Sequence, residues 1–215
     1  MHKNHAFHIK NIFKSTKLVW LAILLWIVAS CQNTGEASKY LPTSGGKPDE
    51  ILWVMNSSFW EDTIGTEVGK RFQKSYEVLP QAEPAYFLRK KTFQEFNNDI
   101  IKKYRTIVIC TSKEADVEYG NVREIINETG VEFQKTLVLK NVWAKPQLVV
   151  IVSADNNEEL LQILTTKGDS IEKAIRTEEN NAINKYLYNN DVNDDAINAI
   201  DSVFGFKLNI PKGYF

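Results

Sequence analysis

Three short and almost wholly apolar runs constrain the fold of this chain more than any other feature. They lie at residues 51–55, 106–110 and 147–152, and amphipathic stretches separate them. A strand that is apolar at every position must be covered on both faces, which is typical of a central strand in a sheet flanked by helices. The chain is therefore predicted to have an α/β fold.

The segments between these runs supply the other elements of the sheet and its covering helices. Residues 85–91 and 131–140 are predicted strands, the second with one exposed face. Helices are predicted from a capping box at residues 58–61, over 92–104, around Val122, in a long region after Asp155 that Gly168 bends or divides, and over 194–204. The resulting order, β-α-β-α-β-α-β-β-α-α, predicts an α/β (α+β) protein with a mixed sheet of about five strands.

The first thirty residues predict an export signal. A basic opening leads into eleven apolar residues at 18–28, too few to span a hydrocarbon core of about 30 Å but typical of a secretory signal. The run ends in Val-Ala-Ser-Cys, the pattern of a bacterial lipobox. Residues 1–30 are therefore predicted to be a lipoprotein signal peptide, and Cys31 the site of lipid attachment and the contact with the membrane.

The rest of the chain divides into a linker and a folded part. Residues 31–49, with the lipidated Cys31 and several Gly, Ser and Pro residues, are predicted to form a flexible tether. Residue 32 is Gln rather than Asp, which by the enteric sorting rule predicts the outer membrane, with the protein facing the periplasm. Residues 50–215 are predicted to form one globular domain. Its closing segment, 206–215, has the pattern of a strand that leads into further structure, so the domain is predicted to be incomplete at its C-terminal end.

Charge and residue usage exclude several classes of function. Four of the 26 cations and none of the 27 carboxylates lie in residues 1–30, so the remainder has a formal charge of −5, which is unsuited to nucleic acid. No histidine follows residue 31, so the mature chain has no Ser-His-Asp triad and no His-ligated metal site. Cys110 lies in an apolar run and is predicted to be a buried core residue.

Two segments resemble ligand-binding loops only superficially. Residues 65–70 are one residue short of a phosphate-binding loop and have Arg71 where Ser or Thr would bind magnesium. Residues 191–195 begin like a calcium loop, but Ala196 and Ser202 replace the turn glycine and the bidentate glutamate. The sequence therefore predicts no catalytic residue, no metal ligand and no cofactor.

A candidate interaction surface remains in two loops. Two prolines stiffen the first loop, which offers Pro80, Gln81, Glu83 and Pro84, and this fits either a rigid connector or a presented recognition surface. Trp143 lies in a second loop, between two predicted strands, where it is either a core residue or an interface anchor.

Several separated motifs resemble an uncharacterised lipoprotein family of Bacteroidota, the domain of unknown function 4837. The matching residues are 47–54, Trp60 with Gly65, 79–84, 143–150 and 210–214. The resemblance implies an envelope lipoprotein and supplies no catalytic residues. Members of that family continue past the last of these motifs, so the chain resembles a C-terminally shortened copy.

Two functions from different classes are consistent with these observations. The residues favour a non-enzymatic, lipid-anchored envelope protein that binds another envelope protein or polymer or serves in assembly. The alternative is a hydrolase or transferase that acts on envelope polymers through carboxylates or a Ser/Lys pair, completed by a missing C-terminal part.

Overall fold

The computed structural model describes residues 40–75, 80–188 and 191–213. The predicted signal peptide and Cys31 lie outside these residues. The strands of the described part are β1 (Glu50–Val54), β2 (Phe87–Lys91), β3 (Thr106–Ser112), β4 (Thr136–Lys140) and β5 (Leu148–Ala154). Its helices are α1 (Ser57–Trp60), α2 (Thr63–Phe72), α3 (Phe93–Phe96), α4 (Asp116–Thr129), α5 (Asn157–Leu187) and α6 (Asp194–Phe204), with a 3₁₀ turn at Ile101–Lys103.

The five strands form one mixed sheet in the order β2-β1-β3-β5-β4. β1, β2, β3 and β5 run parallel, and β4 is antiparallel to β5 at one side of the sheet. The predicted fold class, an α/β protein with a mixed sheet flanked by helices, is confirmed. We call the end at which the parallel strands finish the carboxyl edge and the opposite end the amino edge.

Helices cover both faces of the sheet, as the three apolar runs predict. β1, β3 and β5 are buried at every position. On the first face α2 and α5 pack against the sheet, and Phe72 meets Trp53 edge to face with ring centroids 4.8 Å apart. On the second face Phe96 of α3 and Val122 of α4 pack against the sheet. Burial on two faces is the main stabilising contribution of such a sheet.

The connection after β1 differs from its prediction. Asn56 caps α1 and Asp62 caps a separate helix α2, so the predicted capping box at residues 58–61 is wrong. A Cβ atom on Gly65 would lie 2.6 Å from the carbonyl oxygen of Phe59, closer than side chains approach. Glycine at this position therefore allows α2 to turn back directly over α1.

Gly168 does not divide the long helix, because α5 is continuous through it. A Cβ atom at this position would collide with the side chain of Arg71 from α2. That arginine pairs with Asp169 and Glu67, and donates a hydrogen bond of 3.0 Å to the Thr165 carbonyl. The glycine thus makes room for an arginine that joins the two helices of the first face.

Three other predicted boundaries are corrected. Strand β4 occupies only the second half of residues 131–140, and residues 92–104 form α3 and a 3₁₀ turn rather than one helix. Residues 206–210 are not a strand; the nearby Pro211 forms a single bridge with Val192.

The folded unit begins before residue 50. It starts at Leu41. Lys145 N donates to the Pro42 carbonyl at 2.8 Å, and Arg105 N donates to the Gly45 carbonyl at 2.8 Å. The last residues of the predicted 31–49 tether are therefore docked along the amino edge of the sheet.

Candidate functional site

The two parts of the predicted interaction surface lie on opposite faces of the sheet. Pro80, Gln81 and Glu83 are exposed, and Pro84 bridges to Ser75 in a loop whose next residue packs against the core of the first face. Trp143 packs against the core of the second face. The structure does not bring the two loops together, and Trp143 lies in a surface hollow.

That hollow is a groove of about 560 Å³ between α3 and α4, which we call the helical groove. It is lined by Phe93, Gln94, Phe96, Asn97, Lys102, Val117, Glu118, Asn121, Glu124, Ile125, Glu128 and Trp143. The groove exists because α3 has only four residues and leaves the neighbouring side of α4 uncovered. Its volume is in the range of small-ligand sites.

The floor of the helical groove is aromatic. The Phe96 and Trp143 rings meet edge to face, with centroids 5.5 Å apart and an interplanar angle of 78°. Phe96 is 3% exposed, whereas Trp143 is half-buried and retains surface for contact. Aromatic pairs of this geometry stabilise each other by about 0.5–1.5 kcal/mol beyond their area burial, so each ring supports the other.

Gln147 holds this floor in place. Its Oε1 accepts hydrogen bonds from the backbone N–H groups of Trp143 and Ala144, at 2.8 and 3.3 Å. Its Nε2 lies 2.7 Å from each of the carbonyl oxygens of Lys102 and Tyr104, at the end of the 3₁₀ turn. One side chain that is 1% exposed therefore ties the Trp143 loop to the segment that follows α3.

One wall of the groove is acidic. Glu118, Glu124 and Glu128 face it from α4, against the single lysine Lys102 on the other side. Glu118 Oε1 accepts a hydrogen bond from Asn56 Nδ2 at 3.3 Å. Within the described part of the chain, Glu124 and Glu128 have no ion-pair partner inside 4.0 Å. Two carboxylates in the groove are thus available to a positively charged ligand.

The groove starts at the point where the chain changes faces. The connection after β1 packs on the first face and that after β3 on the second. The bond between Asn56 and Glu118 crosses this point at the carboxyl edge. In open α/β sheets ligands bind in the crevice outside the strands' carboxyl ends at such a switch point, so the groove's position supports its role as a binding site.

A second polar cluster lies at the carboxyl edge. Asp155 pairs with Lys113 at 2.5 Å and with Lys135 at 2.6 Å, and these contacts lower the pKa of its carboxyl to about 2. The contact with Asp155 raises the pKa of Lys113. The contacts with Asp155 and Glu159 raise the pKa of Lys135. Both amines are therefore held as ammonium ions and the carboxyl as its anion, which suits a structural ion-pair network and leaves no amine as a general base.

Two potential nucleophiles, Cys110 and Ser112, lie in β3. Cys110 is fully buried, and burial raises the pKa of its thiol, so the predicted core role is confirmed. Ser112 is also buried, and its Oγ donates to Asn157 Oδ1 at 2.6 Å.

Across the described ranges, no group of three or more His, Cys, Asp or Glu side chains could hold a metal ion. In the same ranges no helix is long and apolar enough to cross a membrane.

Fold and groove together define an α/β protein with a doubly covered sheet and an acidic, aromatic-floored groove at its switch point. A family model described as Domain of unknown function (DUF8532) matches residues 44–188. The chain belongs to this family. No curated protein and no solved structure matches it.

The resemblance to domain of unknown function 4837 is wrong, because the family shown is a different one. Its motifs were short, and two of them, at 47–54 and 143–150, end in apolar strand residues of the kind that any buried parallel strand requires. A third, at 210–214, lies outside the matched region. The inference that the chain is a shortened copy loses its basis with the resemblance.

Sequence reasoning missed Gln147 and the acidic wall. The signal for the wall was available, because residues 117, 118, 121, 124, 125 and 128 recur at intervals of three or four, which places them on one side of a helix. Only the apolar positions of that segment were used to predict it. Nothing in the sequence distinguishes Gln147 from a surface glutamine at the start of a strand.

Proposed function

We propose that this protein is a non-enzymatic, lipid-anchored binding module of the cell envelope whose helical groove takes a cationic segment of a partner protein. The observation that carries the groove assignment is that Glu124 and Glu128, which have no ion-pair partner among the described residues, line the same groove as the Phe96–Trp143 floor. The lipobox at Cys31 supports the anchor, with the protein on the outer membrane facing the periplasm.

Lysine and arginine side chains match this groove best. Each has an apolar stem that can cover an aromatic floor while its charged end reaches a carboxylate. At an exposed site, a cation over the face of a tryptophan ring gains about 0.5–1 kcal/mol of further interaction energy. Three carboxylates against Lys102 give the groove a negative field, which attracts cations and repels acidic partners.

The alternative, a hydrolase or transferase, has less support. It requires a carboxyl or amine with a pKa shifted toward neutrality beside a nucleophile. At the carboxyl edge Lys113 lies next to Ser112 in sequence, but Asp155 raises its pKa and keeps it protonated. This cluster therefore does not supply a Ser/Lys pair.

The groove assignment is tested with a labelled lysine–alanine peptide and a matched glutamate–alanine peptide, each titrated into the full-length protein in detergent. We expect only the lysine peptide to bind, with an affinity that falls as salt is added. Glu124→Gln combined with Glu128→Gln should weaken binding about tenfold.

A matched control removes the same two charges elsewhere. Glu114 and Glu132 are exposed and do not line the groove, so Glu114→Gln with Glu132→Gln should leave the affinity within about twofold. Equal loss in both double variants, or equal binding of both peptides, would show that the attraction is a general charge effect and refute the assignment.

The anchor is tested separately by metabolic labelling with a fatty acid. The wild-type protein should incorporate label and sediment with membranes, and Cys31→Ala should lose both properties. Cys110→Ala, which alters the buried thiol, is the control and should keep the label. Labelling that persists in Cys31→Ala would show that the lipid-attachment prediction is wrong.

A further inference from the structure

A second hollow, at the amino edge of the sheet, is separate from the helical groove. It has a volume of about 800 Å³, and we call it the basal pocket. Its lining residues are Arg105, Asn141, Lys145, Pro146, Glu178, Asn181, Ala182, Lys185, Tyr186, Leu187, Pro211 and Gly213. Four segments form it: the residue before β3, the loop before β5, the last turns of α5, and the C-terminal segment.

The C-terminal segment closes one side of the basal pocket through specific hydrogen bonds. Tyr188 Oη donates to the Asn209 carbonyl at 3.0 Å, and Asn193 N donates to the Ile210 carbonyl at 2.8 Å. Lys212 N donates to the Asp191 carbonyl at 3.0 Å. The family model ends at residue 188, so this wall is built by residues beyond the matched region.

The pocket lining has an excess of positive charge. Arg105, Lys145 and Lys185 line it with one carboxylate, Glu178, whose charge is balanced by an ion pair with Lys140. Among the described residues, Lys145 and Lys185 have no ion-pair partner within 4.0 Å. The carboxyl end of α5 adds about half a negative charge, which is smaller than the three positive charges.

One donor of the Arg105 guanidinium has no acceptor in the described part of the chain. Its Nε is buried and has no hydrogen-bond partner among the described residues. A buried guanidinium N–H without an acceptor is costly, and oxyanions are the acceptors that match its geometry. The carboxyl of Glu179 interacts electrostatically with Arg105, but burial raises the pKa of this carboxyl to about 7. Near neutral pH Glu179 is therefore only partly ionised and offsets only part of the positive charge of Arg105.

We infer that the basal pocket binds a phosphate- or carboxylate-bearing ligand through Arg105, Lys145 and Lys185. The amides of Asn141 and Asn181 supply hydrogen bonds to polar groups of the ligand, and Pro146, Leu187 and Pro211 cover its apolar part. This inference does not depend on the helical groove, whose lining residues are different.

The test is isothermal titration of the full-length protein in detergent with pyrophosphate and with citrate. We expect saturable binding of at least one probe, and the preferred probe identifies whether the ligand's anionic group is phosphate or carboxylate. Lys145→Gln with Lys185→Gln should weaken binding about tenfold or more. Because both side chains are exposed, this variant should fold.

Lys173→Gln with Lys167→Gln is the matched control. These two lysines are exposed on α5 and do not line the pocket, so the control should bind as the wild type does. Tyr188→Phe, which removes the bond to Asn209, tests the wall and should weaken binding without changing the charge. Absence of saturable binding of both probes up to about 10 mM, or an equal loss in the control, would overturn the inference.

Discussion

The indole ring of Trp143 meets the ring of Phe96 edge to face at 5.5 Å, and this contact joins the loop before β5 to the short helix α3. The two residues are 47 positions apart in the chain, and both line the helical groove. Phe96 faces the core, whereas Trp143 keeps part of its surface exposed. The pair therefore forms a floor in which one ring supports the other against a ligand.

Trp143→Ala should reduce lysine-peptide binding about tenfold, because it removes the aromatic surface that covers the stem of the ligand side chain. Trp143→Phe retains a ring against Phe96 and should lose much less affinity. Peptide titration of both variants measures the difference. Trp60→Phe is the control, since Trp60 packs near the first face with Lys90 4.6 Å from its ring, away from the groove. Full binding by Trp143→Ala would remove this residue from the site.

Gln147→Leu should lower the free energy of unfolding by about 2–4 kcal/mol, because it leaves two carbonyl groups and two N–H groups without their partner. Chemical denaturation measures this loss. Hydrogen exchange at the Trp143 and Ala144 amides should also quicken, since both donate to Gln147.

Gln162→Leu is the matched control for that change. Gln162 is exposed on α5, and the same substitution there should alter stability by no more than about 0.5 kcal/mol. Equal effects of the two substitutions would mean that Gln147 does not hold the groove floor.

Two glycines four residues apart in α2 should respond oppositely to alanine. Gly65→Ala should destabilise the protein by about 1–3 kcal/mol, because the new Cβ would lie 2.6 Å from backbone oxygens of Phe59 and Trp60. Gly69→Ala meets only the Gln73 side chain, at 3.6 Å, and should stabilise the helix by about 0.5–1 kcal/mol. Thermal unfolding compares them. A stabilising Gly65→Ala would show that α1 and α2 are not packed this closely.

The sheet could be predicted from sequence because each of its central strands contains an almost wholly apolar run. Residues 51–55, 106–110 and 147–152 carry that signal locally, and burial on two faces leaves few alternatives. The capping of α1 by Asn56 was missed because Ser58 and Glu61 have the spacing of a capping box, which local sequence alone favours. Tertiary packing, which local sequence does not show, favours the cap at Asn56 over the one at Ser58.

The candidate site was less predictable, because it is made by contacts between distant segments. Trp143 was a sequence candidate, but its partner Phe96 and its support Gln147 depend on how the loop before β5 meets the 3₁₀ turn. The acidic wall of α4 becomes a groove wall only because α3 is short. Pro80 and its loop have no such neighbour from the second face, and their role in binding stays a prediction.

Glu179 should make the protein less stable as pH rises from about 4.5 to 7. Its Oε1 is buried without a partner among the described residues, and desolvation raises the pKa of the carboxyl from 4.5 to about 7. The positive charge of Arg105 opposes this rise in pKa, and the negative charge of Asp49 adds to it. Below pH 4.5 the group is neutral in both states. Between these values the unfolded chain ionises first, so folding loses stability, and above pH 7 the loss is constant.

Glu179→Gln removes this titration. Because the group is partly exposed, we expect the variant to gain about 1–2 kcal/mol over wild type at about pH 8 and little at pH 4.5. Urea unfolding at both pH values measures the difference. The difference in unfolding free energy between variant and wild type cancels the contribution of other carboxylates such as Glu50. Arg89 lowers the pKa of Glu50, so the stabilisation from that carboxylate is lost only at lower pH. Glu132→Gln, at an exposed position, should show no such dependence, and an equal gain for Glu179→Gln at both pH values would contradict the buried, proton-binding role.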